Sequence, residues 1–448
     1  MIFTKKQLEN YADTLLWGLT AERKRPLKRG GVIILRVQLD AMPLAEVVHR
    51  RLVERGLNVV FRYLPNPVIE KDFYQLSDKA QRVFVNAGEK EFYESSNGLI
   101  ALNSPASLTH LKAVDPKRIA EVAIAQRPLR KIWDRREEQG HFSWTLCTYP
   151  TEELAKNARL SMKEYSAQIA KACYLDEKDP AAKWKRTYKD CSAIKKWLQS
   201  LRIETIRVQT KSMDFETRLG AKRRFKGISG ANIPSFEVYT SPDWRGTRGT
   251  YYANLPSFRN GNIVQGIRLT FKDGRVVKAQ AAQGEDFVKK TLATDAGARQ
   301  IGEFSLTDIR FSKIDKFMAD TLFDENFGGR LVPDIRLEWD GGRLVEATAS
   351  ENQDFLRQVL STDSGSSVVG EFAMGTNMAV DRFCKDFLID EKMGGTIHIA
   401  LGRSYPGCGG VNQSAIHWDI INTEDKLVTA QLKNGKTVTV YEKGKFKY

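Results

Sequence analysis

Between residues 30 and 64 the chain reads GGVIILRVQLDAMPLAEVVHRRLVERGLNVVFRYL. Apolar runs at 32–39 and 59–64 predict strands, and the stripe Leu44, Val47, Val48 and Leu52 between them predicts a helix. A strand pair joined by one helix is a parallel βαβ unit, because a parallel connection needs a crossover of a dozen residues or more. Upstream, Leu8, Tyr11, Leu15 and Leu19 recur at helical spacing among charges and without a small-residue cleavage site. That pattern predicts a first helix and not a signal peptide. Residues 144–147 add a strand and 152 to about 200 a helical tract, so 1–205 is expected to be an α/β domain with a parallel sheet. From 205 onward short β-like runs with Gly and Asn turns take over, predicting a β-rich α+β domain over 206–448.

The second domain contains an internal tandem repeat. Ile267-Arg268-Leu269, Gly274-Arg275, Asp286-Phe287, Thr294-Asp295 and Gly302-Glu303-Phe304 recur 68 positions later as Ile335-Arg336-Leu337, Gly342-Arg343, Asp354-Phe355, Thr362-Asp363 and Gly370-Glu371-Phe372. After a two-residue deletion, Asp324-Glu325 and Gly328-Gly329 match Asp390-Glu391 and Gly394-Gly395. The duplicated unit covers about 264–329 and 332–395. Carried forward, the register sets His398 against Val332, and valine cannot ligate a metal. The second copy therefore reads as functional and the first as structural.

Candidate chemistry gathers downstream of the repeat. In GTIHIALGRSY, Ile397, Ile399 and Leu401 alternate with His398 and Ala400; in SAIHWDII, Ile416, Trp418 and Ile420 alternate with His417 and Asp419. On strands with one packed face, the imidazoles and the Asp419 carboxylate point away from the aliphatic side. Glu237, between Phe236 and Val238, and Glu371, in VVGEFAMG, sit among apolar neighbours, where a carboxylate is costly to bury unless a cation compensates it. Each residue alone reads as readily as a satisfied polar group; together they are the imidazole and carboxylate donors that zinc, cobalt or manganese takes in a hydrolytic site. HExxH, GxSxG, GxGxxG and P-loop signatures are absent.

Composition narrows the field further. With 28% charged residues and no long apolar stretch, the sequence excludes a membrane span. Five scattered cysteines without a CxxC pair indicate neither a disulfide framework nor a thiolate zinc site, which leaves the cytoplasm as the expected compartment. The net charge of +15 lies in mixed tracts without any RNP, KH or zinc-finger signature, which argues against a nucleic-acid surface.

The tracts NIPSFEVYTSP, GEFAMGTN, DEKMGGTIHIALGRSY and GGVNQSAIHWD resemble those of the thermophilic aminopeptidase family, M29, strongly from about 229 to 421 and more loosely upstream through SWTLCTYPTEELA. The resemblance implies an α/β domain followed by a β-rich metal-binding domain. It implies a cytosolic homodimer that hydrolyses the N-terminal residue of peptides with a free N-terminus, using a water activated by two divalent metal ions. It further implies that Glu237, Glu371, His398, His417 and Asp419 bind those ions and that Tyr405 is catalytic; the working mechanism adds Glu371 as the glutamate that shuttles a proton to the leaving amine. One departure stands out. The family carries one GE(F/V) unit after its EVFTSP-like motif, whereas this chain carries two, so Glu303 is an alternative ligand to Glu371. The competing reading is a catalytically inactive homologue that binds metal, nucleic acid or an acidic partner.

Overall fold

The computed structural model describes the chain except residues 1, 221, 228, 308–311, 315, 325–335, 341–342, 349–396, 403–405, 411–416 and 423; at 336–340, 343–348, 400–402, 406 and 418–421 it describes the backbone alone. Helix α1 (Lys5–Thr20) starts at a capping box in which Thr4 and Gln7 satisfy each other's backbone N–H groups. It packs Tyr11, Leu15 and Leu19 into the first core. The expected βαβ unit follows as strand β1 (Val32–Val37), helix α2 (Met42–Glu54) and strand β2 (Asn58–Tyr63), with β1 and β2 parallel. Leu44, Val48 and Leu52 are the buried stripe of α2, as their spacing requires. Strands β3 (Gly98–Asn103) and β4 (Ser143–Thr148) extend the sheet on the other side of β1, also in parallel.

Two features here were not foreseen. One is β3 itself; the other is the helix Pro116–Glu138, which buries only Leu129 and Trp133 and so offers little apolar period to read. The expected helical tract is three helices, Glu152–Asn157, Met162–Ala172 and Pro180–Ser200. Arg159 in the left-handed region and the Ser161 capping box separate the first two, and the Asp179 cap with Pro180 restarts the third.

Beyond 200 the described strands pair antiparallel, with one parallel exception. Strands β5 (Ile203–Gln209) and β6 (Asp214–Arg218) open this region, after which a two-residue strand, β7 (Asn232–Ile233), returns to pair parallel with β4 and completes the first sheet, order β2-β1-β3-β4-β7. Next come β8 (Glu237–Thr240), β9 (Asp243–Ala253), a small hairpin of β10 (Ser257–Arg259) with β11 (Asn262–Val264), then β12 (Ile267–Lys272), β13 (Arg275–Gln280) and β14 (Ile301–Thr307). A second hairpin, β15 (Arg336–Asp340) with β16 (Arg343–Thr348), stands as a two-stranded sheet. Finally β17 (Ile397–Gly402), β18 (His417–Asn422), β19 (Leu427–Leu432), β20 (Thr437–Glu442) and β21 (Lys445–Phe446) close the chain.

These strands form an eight-stranded sheet, β13-β12-β9-β6-β5-β19-β20-β21, and a four-stranded sheet, β18-β17-β14-β8. One core, including Phe215, Tyr251, Leu269, Phe304, Leu306, Ile397, Ile399 and Tyr441, lies between them. Two buried tyrosines also link the sheets: Tyr251 Oη donates to the Ile397 carbonyl at 3.0 Å, and Tyr441 Oη to that of Thr307 at 2.8 Å. The hairpins β12–β13 and β15–β16 have the same register 68 residues apart. Arg268 faces Gln280 and Arg336 faces Thr348, and the pairing shifts after Thr270 in one and after Glu338 in the other. Among the described residues no helix is long and apolar enough to cross a membrane.

Candidate metal centre

The four-stranded sheet sets three of the expected residues side by side. In β8, Val238 joins the core and Glu237 lies on the opposite face. In β17, Ile397 and Ile399 join the core, so His398 between them also faces away. Strand β14 needs a correction to do the same. Ile301, Phe304 and Leu306 all belong to the core, which strict alternation forbids for 301 and 304. The pairing of β14 with β17 shifts between Ile301 and Glu303, so Gly302 is an extra residue that resets the alternation and turns Glu303 and Ser305 to the outer face.

Register then brings these side chains together. Ser305 lies opposite His398 on one side and Tyr239 on the other, Glu303 lies opposite Ala400, and Glu237 opposite Thr307. Diagonal neighbours across antiparallel strands are within reach of long side chains. His398 Nε2 is 3.4 Å from Glu237 Oε2 and 3.4 Å from Glu303 Oε1. One ligand atom from each of the three residues lies within 4.8 Å of the others. All three are buried, with His398 at 1%, Glu237 at 4% and Glu303 at 9% exposure.

Hydroxyls orient the first carboxylate. Ser305 Oγ donates to Glu237 Oε2 at 2.7 Å, and Ser235 Oγ reaches Glu237 Oε1 at 3.5 Å. Cys408 is buried nearby; burial pushes its thiol well above the ordinary range and the Glu303 charge pushes it further, so it stays protonated. Two buried carboxylates around one imidazole concentrate negative charge that a divalent cation compensates, and oxygen and nitrogen donors without a thiolate suit zinc, cobalt or manganese. The residues present therefore fit a metal ion, and Glu237, Glu303 and His398 are the ones that would hold it.

Strand β18 runs beside β17, with Asp419 in register opposite Ala400 and His417 opposite Gly402. His417 is half-buried and is not one of the three clustered residues; the side chain of Asp419 lies outside the described residues. Glu371 and Tyr405 also lie outside them, as does most of 332–395, the span expected to be the second copy of the repeat. The glutamate that the sheet brings to His398 is Glu303, the alternative of the pair. Sequence reasoning passed over Ser305, although the repeat held a signal: GEFSL in the first copy stands against GEFAM in the second.

Comparisons with known proteins identify the family. A family model, "Thermophilic metalloprotease (M29)", matches residues 4–329 and again 326–446. Aminopeptidase 2 of Geobacillus stearothermophilus is 27% identical over 349 residues, covering 72% of this chain and 82% of that protein. Aminopeptidase T of Thermus aquaticus is 26% identical over 329 residues, covering 68% and 80%. The solved structure of wild-type AmpT from Thermus thermophilus superposes with a TM-score of 0.68 at 18% identity over 99% of this chain and 100% of that one, a likeness of fold. With the family model spanning nearly the whole chain, the protein belongs to the thermophilic metalloprotease family, M29.

Proposed function

We propose that this chain is a metal-dependent aminopeptidase that removes the N-terminal residue from peptides with a free N-terminus. The observation that carries the reading is the convergence of Glu237, Glu303 and His398 on one buried face of the four-stranded sheet, in a chain of a metalloprotease family. Two divalent ions, zinc, cobalt or manganese, are proposed there, held by Glu237, Glu303 and His398 with His417 and Asp419 from the neighbouring strand. Residues so placed would hold divalent cations, whose charge would polarise a scissile carbonyl and acidify an attacking water.

The protein's own part is to fix the donors and exclude bulk water. Three paired strands hold the carboxylates and imidazole on one face, and the core behind them keeps the sheet from adjusting. A buried glutamate of the site is the group placed to pass a proton to the leaving amine. Tyr405, three residues beyond β17 in sequence, is proposed to donate to the developing oxyanion, a contribution of about 3–4 kcal/mol if it acts as other such donors do.

The duplication is part of this proposal. Matching hairpin registers 68 residues apart support a repeated unit, and the pairing of β14 directly with β17 supports reading the second copy as an insertion that the site bypasses. Glu303 is then the ligand and Glu371 its counterpart in the inserted copy. The reading extends to a cytoplasmic homodimer. Paired assays test the activity: a free amino-acid amide should be cleaved and its N-acetylated form left intact, whereas cleavage of both, or of neither by metal-loaded protein, would overturn it.

A further inference from the structure

We propose that Ser305 is a positioning residue of this site, one that sets the orientation of the Glu237 carboxylate toward the bound cation. The inference rests on the metal-dependent reading above and concerns a residue that the reading does not use. Ser305 is fully buried, its 0% exposure shielding the hydroxyl from bulk water. Its Oγ donates to Glu237 Oε2 at 2.7 Å, and that same oxygen is 3.4 Å from His398 Nε2. The backbone of Ser305 is in register with His398 on β17 and with Tyr239 on β8, so the serine sits on the middle strand between the two side chains.

A carboxylate has about four lone-pair directions, and a cation needs a particular one turned toward it. A hydroxyl hydrogen on one lone pair of Oε2 fixes the rotation of the group and leaves the other lone pair for the imidazole side, where the cation would lie. Partners of this kind hold ligands in place before metal arrives, and losing one typically costs 10–100-fold in metal affinity or activity.

The duplication supplies an independent comparison. At the position 68 residues on, the second copy carries Ala373, which has no hydroxyl. Of the two Glu-bearing segments, only the first can therefore give Glu237 this hydrogen bond. Ser305 thus distinguishes the copies, and it favours Glu303 over Glu371 on grounds separate from the distance to His398.

The test compares full-length wild-type protein with Ser305→Ala and Ser305→Thr, by chelator competition for Zn2+ and by the visible absorption of bound Co2+. Ser305→Ala should weaken Zn2+ binding by about 10–100-fold and change the Co2+ bands, since the ligand is free to turn. Ser305→Thr keeps the hydroxyl and should stay close to wild type in both. Wild-type affinity and spectrum in Ser305→Ala would overturn the assignment, as would equal weakening in both variants, which would mark a packing effect. A wild-type protein that takes up neither Zn2+ nor Co2+ would overturn the metallopeptidase reading itself, an outcome distinct from failure of Ser305 alone.

Discussion

Replacing Glu303 by Gln removes one of two buried carboxylates with almost no change of shape, and its effects should have opposite signs with and without metal. His398 Nε2 is equidistant, at 3.4 Å, from an oxygen of Glu237 and one of Glu303. With ligand atoms of the site within 4.8 Å, two ionised carboxylates repel by roughly 3.5 kcal/mol at an effective dielectric of 20. The substitution relieves that repulsion in the metal-free protein, whose midpoint in thermal unfolding should hold or rise. In the loaded protein a donor is lost. Because even outer partners of a ligand cost 10–100-fold, a ligand itself should cost about 100-fold or more, equivalent to about 2.7 kcal/mol of metal-linked stability. The assay is metal per chain after dialysis against buffered Zn2+, beside unfolding curves with and without the ion. Glu371→Gln, treated identically, should keep its metal and its stability. Retention of metal in Glu303→Gln together with its loss in Glu371→Gln would refute the reasoning and transfer the role to the second copy.

Three further outcomes are expected. Excising residues 330–395, which joins Gly329 to Thr396 across the repeat register, should leave a folded protein that still binds metal, because β14 already pairs with β17; an unfolded or metal-free product by circular dichroism and metal analysis would contradict it. Tyr405→Phe should lower kcat by about 100–1,000-fold with metal content unchanged, and an unchanged rate would show the role misassigned. Burial lowers the Lys426 ammonium to about 7 against the opposing charges of Asp425 and Glu424. The unfolded chain, with a lysine near 10.4, then binds more protons between about pH 7 and 10. Stability should climb with pH across that window and the slope should flatten in Lys426→Met, measured by denaturant unfolding; an identical slope in the variant would remove Lys426 as its source.

How much of this could be read from the chain depended on how local the signal was. The βαβ unit was legible because α2 carries a clean apolar stripe between two apolar runs. The strand identity of β17 and β18 and the outward face of His398 followed from simple alternation. The helix Pro116–Glu138 was not legible, since it buries only Leu129 and Trp133 and gives no period to find. The face of Glu303 depends on a bulge at Gly302, a feature of pairing between strands almost a hundred residues apart in sequence. The choice between Glu303 and Glu371 had the same origin. Sequence proximity favoured the glutamate nearer to His398, whereas the sheet pairs His398 with the earlier strand across the whole intervening segment. Ser305 was passed over for a related reason: the GEFSL against GEFAM difference gains meaning only once the neighbouring strand brings Glu237 within hydrogen-bond reach of the serine.

The most direct measurement of the central claim is turnover as a function of bound metal. Protein stripped by a chelator and titrated with Zn2+, Co2+ or Mn2+ should be inactive toward an amino-acid amide when metal-free, and activity should rise with metal bound and saturate at two ions per chain. Full turnover by protein shown to be metal-free, or saturation with two ions and no hydrolysis, would contradict it.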